Sequence, residues 1–144
     1  MKLSRMLAGL AFAAALLFAA PAMASVKAVV NKSTQQMQVY QDGALLYTWD
    51  VSTGLKNSWT PTGTFGVQSM DATHRSSIYG GAPMPWSVFF NGNIAVHGTI
   101  KANYADLGSP ASHGCVRLHQ TNAKTFFNLV EEVGRSNVTI IVTS

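Results

Sequence analysis

A single cysteine, Cys115, stands in 144 residues. A disulfide needs two thiols, so no disulfide framework holds this chain together. Charge is scarce as well: 11% of the residues are Asp, Glu, Lys or Arg, against 47% hydrophobic. A disordered chain has the opposite balance, low hydrophobicity and high net charge. The twelve glycines follow no period, which excludes a collagen-like fibre. Beyond the first two dozen residues there is no internal repeat, linker or low-complexity stretch. What remains has the length of one domain.

The opening residues have a pattern of their own. Lys2 and Arg5 make a basic start, Leu7 to Ala20 is apolar apart from one glycine, and Pro21 ends the run. Ala22-Met23-Ala24 then offers small residues where a signal peptidase reads them. The run falls short of the roughly 20 apolar residues a bilayer span needs. The expectation is a signal peptide over residues 1–24, cleavage after Ala24, and a domain over residues 25–144 in the periplasm or cell wall, with no membrane span once cleaved. Without Lys2 and Arg5 the net charge is only +2, which gives no reason to expect a nucleic acid partner. Export makes the unpaired thiol notable, because thiols in oxidising compartments are usually paired or absent.

The first half of the domain reads as strands. Met37 and Val39 alternate with Gln36 and Gln38 before the turn Gln41-Asp42-Gly43. Beyond it Leu45, Tyr47, Trp49 and Val51 share one face, so an Asp-Gly hairpin is expected. Residues 62–69 and 86–90 are further strand candidates, and Asn91-Gly92-Asn93 turns into Ile94-Ala95-Val96-His97. One helix stands out at about 122–133. Thr121 or Asn122 caps it, Phe126, Leu129, Val130 and Val133 line one side, and Gly134 stops it. Residues 137–143 alternate as a last strand. The expected architecture is mostly β, a sandwich or barrel with one packed helix. Residues 69–85 and 98–112 show no period and read as long functional loops.

The second of those loops runs directly into Ser112-His113-Gly114-Cys115. A cysteine attacks as its thiolate, and it needs a base, a cation or backbone donors to become one. His97 and His113 are candidate bases, Arg117 is a candidate cation, and Gly114 lets N–H groups converge as an oxyanion hole requires. If residues 115–119 are extended, Cys115, Arg117 and His119 face one way while Val116 and Leu118 face the core. His119 then lies about 13 Å from the thiol, at ~3.3 Å per residue, and is surface or structural. A thiolate paired with an imidazolium would react well below the ordinary thiol value of about 8.5.

Ile94-Ala95-Val96-His97-Gly98-Thr99, followed by Gly108-Ser109-Pro110-Ala111-Ser112-His113-Gly114-Cys115-Val116-Arg117-Leu118, resembles the signature of the L,D-transpeptidase catalytic domain, also called YkuD. Val51-Ser52-Thr53-Gly54 and Thr60-Pro61-Thr62-Gly63-Thr64-Phe65 are similar to that family's other recurrent segment, and the resemblance spans essentially all of residues 25–144. It implies a mostly β fold with the thiol in a cleft. It implies a substrate too: a peptidoglycan stem tetrapeptide, attacked at the carbonyl of its third residue, usually meso-diaminopimelate. D-Ala leaves and a thioester remains. An amine then resolves the thioester to a 3→3 cross-link, an attached protein or an exchanged D-amino acid, and water gives carboxypeptidase activity.

Carried over by position, the resemblance makes Cys115 the nucleophile, His97 its base and Gly98 the residue that orients His97. His113, Gly114 and Cys115 form the oxyanion hole. Arg117, Ser112, Trp86 and Tyr79 are expected at the substrate, the last two together with Met84 and Pro85 as a lid. No cofactor or metal is expected, and no wall-binding module such as LysM is recognised. Two other readings compete. His97, His113, Cys115 and His119 are a conceivable zinc set for a peptidase, with Asp106 the only carboxylate at hand as base. A non-catalytic wall-binding module on the same fold is the third.

Overall fold

The structure is a computed structural model and describes Gly9 and residues 24–144. The leader expected over residues 1–24 lies outside the described residues, save Gly9 and Ala24. Among the described residues no helix is long and apolar enough to cross a membrane.

Among the described residues nine strands form two sheets. The first has five: β1 (Val26–Asn31), β2 (Gln36–Gln41), β3 (Ala44–Asp50), β4 (Gly63–Gly66) and β9 (Val138–Thr143), in the order β3-β2-β1-β9-β4. The second has four: β5 (Ser69–Arg75), β6 (Pro83–Asn91), β7 (Ile94–Gly98) and β8 (Val116–Leu118), in sequence order. Each sheet has one parallel pair, β1 with β9 and β7 with β8, and its other pairs are antiparallel. The helix α1 spans Gln120–Val133.

Alternation sets the faces. Val26, Ala28 and Val30 of β1, Met37 and Val39 of β2, and Val138, Ile140 and Val142 of β9 are buried. They meet Val88, Phe90, Val96, Val116 and Leu118 of the second sheet, and Phe126, Phe127 and Val130 of α1, in one core. Phe65 of β4 sits on Phe90 of β6 with ring centres 5.3 Å apart, which joins the two sheets directly.

The hairpin, the Asn91-Gly92-Asn93 turn, the single long helix and the last strand lie where the sequence puts them. Four details differ. Residues 69–85 are not one irregular stretch, because β5 and β6 pair antiparallel and leave only residues 76–82 as loop. The strand expected over 62–69 breaks at Val67-Gln68, and its two ends pair in different sheets. Leu45, Leu46 and Tyr47 are all exposed on the edge strand β3, of whose side chains only Trp49 is half-buried against the core. The cap of α1 is His119, whose Nδ1 accepts the Thr121 N–H at 3.2 Å, so neither Thr121 nor Asn122 fills that place.

Candidate active site

The second sheet has a dry face and a wet one. Val96 pairs with Val116 and His97 with Arg117 across the parallel β7–β8 ladder. Side chains alternate along each strand, so Val96, Val116 and Leu118 enter the core. His97, Arg117 and Cys115, which just precedes β8, then share the opposite face. That face forms a wall of a cleft of about 450 Å³ lined by all three, with His113, Tyr79 and His74 around it.

Cys115 stands diagonally across from His97, one pleat along. Its Sγ accepts the Ala95 N–H at 3.4 Å and donates toward the Asn93 carbonyl at 3.5 Å. His97 donates Nδ1–H to the Gly98 carbonyl at 2.7 Å, which fixes the tautomer and leaves Nε2 free for a proton. Gly98 is therefore the residue that orients the ring, through its backbone. A side chain at Gly98 would press on Gln120 and Pro85.

Burial governs the electrostatics. It pulls His97 down to about 4, and the Arg117 charge adds to the effect. It pushes the Cys115 thiol up, against the smaller opposing pulls of the Ala95 N–H and Arg117. Both shifts favour neutral forms. That direction runs against the thiolate–imidazolium pair expected from the sequence. Among the described residues no hydrogen bond joins Sγ to the His97 ring.

The turn before the thiol is braced from several sides. The Ser112 hydroxyl donates to the Cys115 carbonyl at 2.6 Å and accepts the Gly114 N–H at 3.0 Å. It is spent on the turn, and so is the Gly114 N–H. Of the three expected oxyanion donors, the N–H groups of His113 and Cys115 are left without a partner among the described residues. Gly114 has φ 137°, and a Cβ there would lie 2.9 Å from the Trp59 carbonyl, so only glycine fits without displacement.

The remaining candidates separate. Tyr79 lines the cleft and stacks on His113, with ring centres 4.3 Å apart, and Trp59 also stacks with that imidazole at 6.1 Å. Trp86 does not line the cleft. Its backbone kinks at φ 58°, and its ring sits against Phe127 of α1 at 5.4 Å, so it belongs to the helix packing and not to a lid. His119 caps α1 and stacks on Tyr104. Among the described residues no three His, Cys, Asp or Glu side chains gather as a metal ligand set.

Sequence reasoning did not single out Thr60, Lys32, Ala95 or Asn93. Thr60 is fully buried; its hydroxyl donates to the Gly114 carbonyl at 2.7 Å and accepts the Gly54 N–H at 2.9 Å. The buried Lys32 ammonium donates to the carbonyls of Asn57 and Thr60, both at 2.9 Å. Thr60 lies in a quoted motif, where its hydroxyl was the available signal. Ala95 and Asn93 lie in a quoted motif and a quoted turn, but they act through a backbone N–H and a backbone carbonyl, which no side chain signals, and Lys32 acts through partners distant in sequence.

Residues 25–141 match the model of the YkuD family, the L,D-transpeptidase catalytic domain. The chain belongs to that family. A Bacillus subtilis (strain 168) protein, YqjB, whose name carries a provisional L,D-transpeptidase designation, is 28% identical over 115 residues, which are 71% of this chain and 64% of that protein. An L,D-transpeptidase from Mycobacterium smegmatis superposes with TM-score 0.72 at 24% identity, covering 84% of this chain and 59% of that one. The L,D-transpeptidase LdtMt1 in complex with imipenem gives TM-score 0.72 at 25% identity, over 83% and 59% of the two chains. The chain thus spans about three-fifths of the length of the relatives it matches.

Proposed function

We propose that this protein is an exported cysteine acyltransferase, an L,D-transpeptidase that works on peptidoglycan stem tetrapeptides in the periplasm or cell wall. The observation that carries the reading is the placement of Cys115 and His97 on one cleft wall, with Nε2 of His97 free. In the first half-reaction the Cys115 sulfur attacks the carbonyl of the third stem residue. Its proton passes to His97 Nε2, for which the S–H must leave the Asn93 carbonyl. The N–H groups of His113 and Cys115 receive the developing oxyanion. The C–N bond then breaks, His97 returns the proton to the departing D-Ala amine, and a thioester remains. In the second half an acceptor amine attacks the thioester and gives up a proton to His97; the C–S bond then breaks, and His97 passes that proton to the sulfur, which restores the Cys115 thiol. Water as acceptor makes the same site an L,D-carboxypeptidase. The zinc reading loses its support, since its four residues are not brought together as ligands.

Intact-protein mass spectrometry with imipenem, followed by digestion of purified muropeptides, tests this. One covalent adduct is expected on the wild type and none on Cys115→Ala, with cross-linked dimers or trimmed tripeptides among the muropeptides. An adduct that persists in Cys115→Ala, or muropeptides left untouched by the wild type, overturns it.

A further inference from the structure

A second hollow lies outside the cleft. It is an open groove of about 410 Å³, lined by Trp49 and Asp50 at the end of β3, by Tyr104, by His119 and by Asn122 in the first turn of α1. Its walls are aromatic. Tyr104 stacks on His119 with ring centres 4.1 Å apart, and Tyr47 stacks on Trp49 at 4.7 Å with planes 17° apart. Tyr47 is exposed, so the aromatic surface continues past the lining residues. The polar groups among these rings are unspent. His119 accepts the Thr121 N–H at Nδ1, which leaves its Nε2–H without a partner among the described residues. The Asp50 carboxylate, the Asn122 amide, the Trp49 indole N–H and the Tyr104 hydroxyl likewise make no hydrogen bond or ion pair among the described residues. No Lys or Arg lines the groove, and Asp50 is its one carboxylate.

These features select a ligand by its chemistry. An anion would meet the Asp50 charge with no cation to offset it. A hydrocarbon chain would strip water from the polar groups and give them no partner. A sugar satisfies both sides of the groove. The C–H face of its ring can lie on an aromatic face, whose π cloud is negative. Its hydroxyls both donate and accept, which suits a carboxylate, an amide and an N–H alike. We infer that this groove binds a neutral N-acetylated glycan, the sugar strand that carries the stem peptide, while the peptide itself lies in the cleft. The inference rests on the proposed transpeptidase reading for the identity of that strand, and it adds a site to that reading. Position supports it. One short segment borders both hollows: Ile100 and Asn103 line the cleft, and Tyr104 and Leu107 line the groove. Cys115 and His119 stand at the two ends of an extended run through β8, about 13 Å apart at ~3.3 Å per residue. The stem hangs from the sugar by its first residue, and three extended residues span about 10–11 Å. A stem held by its third residue at the thiol therefore has its sugar end within reach of the groove. The two sites then act on one molecule, and occupancy of either raises the local concentration at the other.

The N-acetylglucosamine tetramer carries no peptide, so it probes the groove apart from the chemistry of the thiol. Titrated into nitrogen-15-labelled protein and followed by NMR, it should shift the amides of Trp49, Asp50, Tyr104, His119 and Asn122 and the Trp49 indole N–H in a saturable way, and leave Cys115 and His97 in place. Asp50→Ala and Asn122→Ala each delete a hydrogen-bonding group outside the core, and each should weaken binding about 2- to 10-fold. In a Cys115→Ala background, where turnover plays no part, a disaccharide-linked tetrapeptide should bind about tenfold more tightly than the bare tetrapeptide. The two groove substitutions together should bring both peptides to equal affinity. No saturable shift, shifts confined to the cleft, tetramer binding untouched by both substitutions, or equal affinity of the two peptides before substitution overturns the inference. If the tetramer and the linked peptide bind as expected while imipenem and muropeptides leave the wild-type thiol unmodified, the groove stands and only the catalytic reading falls.

Discussion

At the scale of single residues, His97 carries the clearest physical signature. Its ring is buried and neutral, with a value near 4 in the folded chain against an ordinary 6.5. Between those values the unfolded chain binds more protons than the folded one, so stability rises with pH through that window and is lost as pH falls from 6.5 toward 4. The shift corresponds to about 3 kcal/mol if none of it is screened. Urea unfolding at pH 7, 5.5 and 4.5 is expected to show a steeper loss for the wild type than for His97→Gln, which carries no titrating group there. Parallel slopes would place the imidazole in a wetter site than the one described. The same burial governs Cys115. A thiol pushed up by desolvation should alkylate at or above the ordinary thiol range, with iodoacetamide as the probe. A profile well below 8.5 would mean that His97 already holds its proton at rest.

At the scale of elements, the helix is the simplest case of sequence written into structure. Phe126, Val130 and Val133 recur at helical spacing, and Phe126 and Val130 are fully buried against the sheets. Phe126→Ala should cost about 3–5 kcal/mol, read as a fall in the urea midpoint with an unchanged slope. A smaller loss would show that the core collapses around the gap. The hairpin of β2 and β3 was legible for a similar reason, since Asp42-Gly43 takes positive φ at both positions, as its turn requires. The strand β5 was not. Its inward positions, Met70, Ala72 and His74, are only half-buried, and a strand with one mixed face carries a weak period-two signal. The helix cap was missed because an imidazole does what a shorter Thr or Asn side chain usually does.

At the scale of the molecule, the candidate site joins parts that lie far apart in sequence. The motif residues Cys115, His97 and Arg117 were legible as residue types with suitable neighbours. Their common wall depends on the parallel register of β7 and β8, a non-local pairing that no local pattern encodes. The brace behind the wall is equally non-local. Lys32, just after β1, holds Thr60, and Thr60 holds Gly114 at the head of the thiol's turn, so the first sheet grips the second through a buried hydroxyl. Thr60→Val keeps the shape and removes that hydroxyl, leaving the Gly114 carbonyl and the Gly54 N–H without it. The expected cost is about 1–3 kcal/mol in unfolding free energy, together with slower acylation of Cys115 by imipenem. Full stability with full acylation rate would show that a water takes over the role.

The place of β9 has a consequence in time. Val138–Thr143 is late in the sequence, yet it lies inside the first sheet, parallel to β1 on one side and antiparallel to β4 on the other. Until those six residues arrive, β4 has no neighbour in that sheet, and β1 is paired on one edge only. A chain emerging from a ribosome can form its early hairpin at once, but the first sheet waits for β9, which follows β1 at a long distance in sequence. Closure across so long a separation is slow, and the unfinished sheet exposes open strand edges meanwhile.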